Sequence, residues 1–161
     1  MSNTIGWGKG SLNNSIGWGQ GGFEYAETIV NISSAQILAM GTTPIELLPA
    51  PGVGKYYDID KITFEYTHNT TAYTYSSYLY VYGQTEYGVV TSLITDPNDK
   101  VWILRPNGTT PPVDGVENYS FGYGEQLNNS VTIGTWDASN PTLGDGTLRV
   151  KVYYKTITFG S

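Results

Sequence analysis

Leu148 to Lys155 read LRVKVYYK, and the alternation within this stretch decides the fold. Successive side chains of a strand point to opposite faces, so Leu148, Val150, Val152 and Tyr154 share one side and Arg149, Lys151, Tyr153 and Lys155 the other. A strand of this kind buries one face and keeps the other wet. Tyr56 to Tyr66 reads as a second long strand, with Ile62, Phe64 and Tyr66 on one face and Thr63 and Glu65 on the other. Shorter apolar runs at Ile45 to Leu48, Val89 to Ile94 and Val101 to Leu104 add strands. So do the period-two sets Tyr119, Phe121, Tyr123 and Val131, Ile133, the latter followed by Trp136. Between them lie turn formers: Pro49-Ala50-Pro51-Gly52, His68-Asn69-Thr70-Thr71, Asp96-Pro97-Asn98-Asp99, and the loops 105–115 and 137–146. Seven or eight strands at this spacing predict an all-β chain, an antiparallel β-sandwich of jelly-roll type.

One short helix interrupts the β texture. Ser33 followed by Gln36 matches a capping box, Ile37, Leu38 and Met40 continue the helical run, and Gly41 reads as its stop. Residues 33–161 are therefore expected to form the β-sandwich domain, residues 23–32 a connector in which Glu24 to Asn31 reads as a connecting strand or extended linker, and residues 1–22 an extended arm.

The arm says one phrase twice. Asn3 to Gly10 read NTIGWGKG, Asn14 to Gly21 read NSIGWGQG, and Ile5 recurs as Ile16 eleven positions on. Glycine loses more freedom on ordering than any other residue, so these few apolar side chains do not order the arm unaided. Ile5, Trp7, Ile16 and Trp18 are accordingly expected to dock on a partner, the repeat matching two equivalent contacts.

Composition narrows the chemistry. A net charge of −6 disfavours nucleic acid and anionic membrane as the main partner, and only 14% of residues are charged, which suits packed assemblies and weak carbohydrate contacts. No cysteine is present, so there is no disulfide, thiolate nucleophile or cysteine metal site. Met1 opens polar, glycine-rich sequence, so neither a secretory leader nor a membrane span is expected. His68 is the sole histidine, and no GxSxG frame surrounds any serine. Asp58, Asp60, Glu65, Asp137 and Asp145 are available acids, but spacing alone pairs none of them across a cleft. The acidic turns at Asp96 to Asp99 and Asp137 to Asp145 lack the regular ligand spacing of a calcium loop and read as turn chemistry. The residues thus predict no enzyme, no catalytic residue, no metal and no cofactor.

The tyrosines carry the remaining signal. With 14 Tyr and 4 Trp, the chain has rings to stack on sugars, or to fill sheet faces and contacts between copies. Tyr78, Tyr80 and Tyr82 alternate with Leu79 and Val81, leaving neither side of that strand plainly wet. These three are expected to form an oligomer or glycan face, strand spacing favouring the former.

Ala35 to Ile62, AQILAMGTTPIELLPAPGVGKYYDIDKI, resembles the opening of a family of small virion structural proteins of tailed bacteriophages. Gly144 to Tyr154, GDGTLRVKVYY, is similar to that family's closing strand. The doubled IGWG is similar to repeats in structural proteins of tailed phages, including crAss-like phages. The resemblance implies a head fibre or capsid-decoration protein on the virion exterior. Its arm would hold capsid or another virion protein, and its β domain would associate with itself, as a homotrimer above all. A tail-associated fibre or adaptor is a second possibility within the same resemblance. From the residues alone, a carbohydrate-binding module or adhesin for host-surface or mucin glycans is the rival reading.

Overall fold

The structure is a computed structural model that describes residues 25–83, 87–89, 92–105, 116–118 and 128–159. Nine strands and two short helices follow in the order β1 (Ala26–Ile32), α1 (Ser34–Ala39), β2 (Ile45–Leu48), β3 (Lys55–Thr67), β4 (Leu79–Tyr82), β5 (Tyr87–Val89), α2 (Ser92–Thr95), β6 (Lys100–Arg105), β7 (Val116–Asn118), β8 (Val131–Thr135) and β9 (Thr147–Thr158). They form two sheets, one ordered β1-β9-β3-β6-β7 and the other β2-β8-β4-β5.

That order is a rolled-up hairpin. With β7 set aside, the first strand pairs with the last, the second with the last but one, the third with β6 and the fourth with β5, all antiparallel. The β3–β9 and β4–β8 pairings then close each sheet. This is the jelly roll that the strand spacing predicts. The extra strand β7 departs from the antiparallel rule and runs parallel to β6, Ile103 opposite Val116.

Burial explains the register. Ile62, Phe64 and Tyr66 of β3 pair with Val152, Val150 and Leu148 of β9, and all six side chains lie in the core. Leu79 and Val81 of β4, Val131 and Ile133 of β8, and Leu47 and Leu48 of β2 complete it from the other sheet. Burying each such side chain contributes about 1.5–3 kcal/mol. On the outer face, Glu65 pairs with Arg149 at 3.3 Å and with Lys151. Exposed pairs of that kind contribute roughly 0–1 kcal/mol, so the apolar rows outweigh the charges in setting the pairing. A slip by one residue would turn the whole row outward.

Local expectations are met and corrected in turn. Ser33 caps α1 as the capping box predicts, its Oγ accepting from the Gln36 amide while the Ser33 amide donates to Gln36 Oε1 at 3.0 Å. Met40 is the C-cap and Gly41 follows it at the expected stop, but without a positive φ. A Cβ on Gly41 would lie 2.2 Å from the Ser139 carbonyl oxygen, so glycine is needed for close approach of two backbones, not for a left-handed turn. Of the two readings of residues 24–31, the strand is the one seen: residues 26–32 are β1, paired with β9 from Ala26 opposite Tyr154 to Ile32 opposite Leu148. The expected strand from Val89 to Ile94 ends at Val89. Ser92–Thr95 is instead a helical turn that places the adjacent residues Leu93 and Ile94 in the core, which an alternating strand does not do. The described residues therefore hold two short helices where one was expected. The arm and the set Tyr119, Phe121, Tyr123 lie outside the described residues.

The topology gives the sandwich two distinct ends. Toward one, β1 begins at Ala26 beside Tyr154, and at that end the 49–54 connection meets Phe159, whose amide donates to the Gly54 carbonyl at 2.7 Å. At the other lie α1, α2 and the connections 68–78 and 136–146. About 20 Å separates them along β1, by the rise of a strand.

Candidate functional site

Strands β4 and β8 build an aromatic surface. Leu79, Val81, Val131 and Ile133 point into the core, so the alternation turns Tyr80, Tyr82, Thr132 and Gly134 outward on the same sheet. Tyr80 stands opposite Gly134 on β8 and opposite Gly88 on β5. Just beyond the last pair, the Trp136 amide donates to the Tyr78 carbonyl at 2.9 Å, so these two residues continue the ladder.

Glycine at 134 shapes this face. Its hypothetical Cβ would lie 3.3 Å from the Tyr82 ring, so that ring lies down across the strand, and the Tyr82 hydroxyl donates to the Thr135 carbonyl at 2.7 Å. Tyr80 sits between two rings, 5.0 Å from Tyr82 and 4.8 Å from Trp136 by centroid, tilted by 51° and 50°. Tyr80 and Tyr82 are half-buried, whereas Tyr78 is 55% and Trp136 54% exposed. The tyrosine face is thus covered in large part from within the chain, and its open part is the end bearing Tyr78 and Trp136.

The structure brings the Tyr80 and Tyr82 rings together and adds Trp136, which spacing alone does not join to them. Its signal was its place two positions beyond Gly134 on the outward phase of β8, legible only once β8 is known to pair with β4. Ile5, Trp7, Ile16 and Trp18 lie outside the described residues.

Acids near this end are occupied as turn acceptors. Asp137 Oδ1 accepts from Ser139 Oγ at 2.7 Å, the Ser139 amide at 3.1 Å and the Tyr75 hydroxyl at 3.0 Å. The bond from the Ser139 hydroxyl leads in holding the Asp137 carboxyl below its usual range. Asp145 accepts from the Thr70 hydroxyl, from the Thr70 and Thr71 amides at 2.9 Å each, and from Asn69 Nδ2 at 3.1 Å. The Thr70 hydroxyl is the foremost cause that brings the Asp145 carboxyl down to about 2. Asp96 is likewise held low, by Lys100 at 2.7 Å and then by Asn98. The amide of His68 donates to Asp99 Oδ1 at 2.8 Å. Every one of these contacts fixes a turn.

A separate open cleft of about 510 Å³ lies on the other sheet, bounded by Asn31, Ser33, Gln36, Thr67 and the Glu65–Arg149 pair. Lys151, first by its hydrogen bond, holds the Glu65 carboxyl below its ordinary value, so this acid is matched by the cations beside it.

Fold and site together define a jelly-roll domain with an outward aromatic surface at one end. No family model, curated protein or solved structure matches the chain.

Proposed function

We propose that the chain is a non-enzymatic structural protein of a tailed-phage virion, of the head fibre or capsid-decoration type, displayed on the particle exterior. The observation that carries this reading is the separation of tether and surface. Everything before Tyr25 joins the domain at the end where Ala26 pairs with Tyr154. The exposed rings of Tyr78 and Trp136 lie at the opposite end, on the other sheet. A protein held by its first residues thus turns the end bearing Tyr78 and Trp136 away from the point of attachment. The resemblance of Ala35 to Ile62 and Gly144 to Tyr154 to phage virion proteins supports the same reading, as does the doubled IGWG of the arm. A jelly roll is found in viral capsid and lectin domains alike, so fold alone does not choose between them.

In this reading, Ile5, Trp7, Ile16 and Trp18 grip capsid or another virion protein. The copies associate as a homotrimer, and linked arms raise one another's effective concentration at neighbouring sites. Purified particles tested by density-gradient sedimentation and mass spectrometry should carry the chain through the gradient and through a high-salt wash. Recovery only from the soluble fraction of the lysate contradicts the proposal.

A further inference from the structure

The open part of the aromatic face has a shape of its own. Trp136 and Tyr78 leave the sheet from opposed positions, joined by the 2.9 Å bond between the Trp136 amide and the Tyr78 carbonyl. The next pair inward is Tyr80 opposite Gly134, so no side chain separates the indole from the Tyr80 ring and the two meet at 4.8 Å. Gly88 opposes Tyr80 on its other flank. The rings therefore form an inclined step over bare backbone, with the indole and the Tyr78 ring open to solvent.

We propose that Tyr78, Tyr80 and Trp136 form a saccharide-binding platform for a neutral, pyranose-containing glycan. Area argues against a second copy as occupant. An aromatic side chain offers roughly 150–250 Å² in all, so the exposed halves of Trp136 and Tyr78 supply on the order of 200 Å², against roughly 800 Å² per partner in a stable association. One or two sugar rings match that area, and their C–H faces stack on aromatic rings while polar neighbours take the hydroxyls.

A polar neighbour stands at the rim. The Tyr75 hydroxyl reaches both the Tyr78 carbonyl at 3.4 Å and Asp137 Oδ1 at 3.0 Å, which sets the Asp137 carboxylate beside the step. The bonds from the Ser139 hydroxyl and amide and from the Tyr75 hydroxyl fall on Oδ1. None of these three bonds falls on Oδ2, and the residue is exposed, so a sugar hydroxyl can reach that oxygen. The same negative charge, on a chain of net charge −6, disfavours acidic sugars and selects neutral ones. The platform lies at the end remote from Tyr25, where a tethered chain presents it outward. It stands independently of the particle assignment, since a soluble lectin-like domain would need the same rings.

Full-length protein titrated with neutral oligosaccharides of glucose, xylose, mannose and N-acetylglucosamine, followed by tryptophan fluorescence and saturation-transfer NMR, tests the site. Saturable binding to at least one of them is expected, with no competition from polygalacturonate. Trp136→Ala should weaken that binding by about tenfold or more. Trp136→Tyr, which keeps a stacking ring, should stay within a few-fold of wild type, separating lost stacking from misfolding. Val101→Ala, at an exposed position on the other sheet, should leave binding unchanged. Silence across the neutral panel overturns the proposal, as does wild-type affinity in a folded Trp136→Ala variant. Either failure leaves retention on particles untouched, because that depends on the arm.

Discussion

The Tyr82 hydroxyl donates to the Thr135 carbonyl at 2.7 Å across a strand whose intervening residue, Gly134, has no side chain to hold the ring off. Tyr82 thereby closes over the sheet from its own chain, and the step from Tyr82 through Tyr80 to Trp136 follows from it. A Cβ at 134 would also meet the Met40 carbonyl oxygen and the Pro44 ring, each at 3.4 Å. Gly134→Ala should therefore cost little, while Gly134→Val should destabilise by about 1–3 kcal/mol as Tyr82 is pushed out. Chemical denaturation measures both, and equal stability of the valine variant and wild type would refute this packing.

Gly41 makes a harder demand. Its missing Cβ faces backbone atoms only, the Ser139 carbonyl at 2.2 Å and the Asn140 nitrogen at 2.8 Å. Asn140 Oδ1 accepts from the amides of Gly41 at 2.8 Å and Thr42 at 3.1 Å, holding the two loops together. Gly41→Ala should cost about 2 kcal/mol or more, because backbone does not yield as a flexible side chain does. A thermal melt coincident with wild type would contradict this.

Asp145 gives the fold a pH dependence of definite sign. Its folded carboxyl is held down to about 2, mainly by the Thr70 hydroxyl and then the Thr71 and Thr70 amides, against about 3.9 in an unfolded chain. A depressed carboxyl contributes its stability fully above the unfolded value and loses it as pH falls through the folded one. Asp145→Ala should therefore lower the melting temperature at pH 7, and the gap from wild type should shrink as pH falls from about 4 to 2. A gap that stays constant over that window would show that the carboxylate's charge is not what clamps the 68–71 turn.

The jelly roll was legible because β9 alternates from Leu148 to Val152 and β3 from Ile62 to Tyr66, beyond its bulge between Ile59 and Lys61, and because glycine, proline and aspartate mark the turns between the others. Ser33 and Gln36 likewise name the helix start, since both partners of the capping box lie within one turn. What the sequence hides is long-range. Leu93 and Ile94 read as strand residues because a short apolar run looks the same in a buried helical turn. Gly41 reads as a helix stop because nothing local tells that Ser139, far along the chain, presses against it. Trp136 stays apart from Tyr80 until β8 is laid beside β4, so the platform emerges from pairing and not from any motif.

The central claim is that the arm holds the chain to a particle and leaves the β domain facing outward. Its most direct measurement is the retention of a Trp7→Ala, Trp18→Ala double variant on purified virions, with the melting curve of the protein as a control on folding. If the two indoles are the anchors, the folded variant is shed and its copy number per particle drops by about an order of magnitude or more, since linked weak contacts fail together. Full retention of the folded variant would contradict the account.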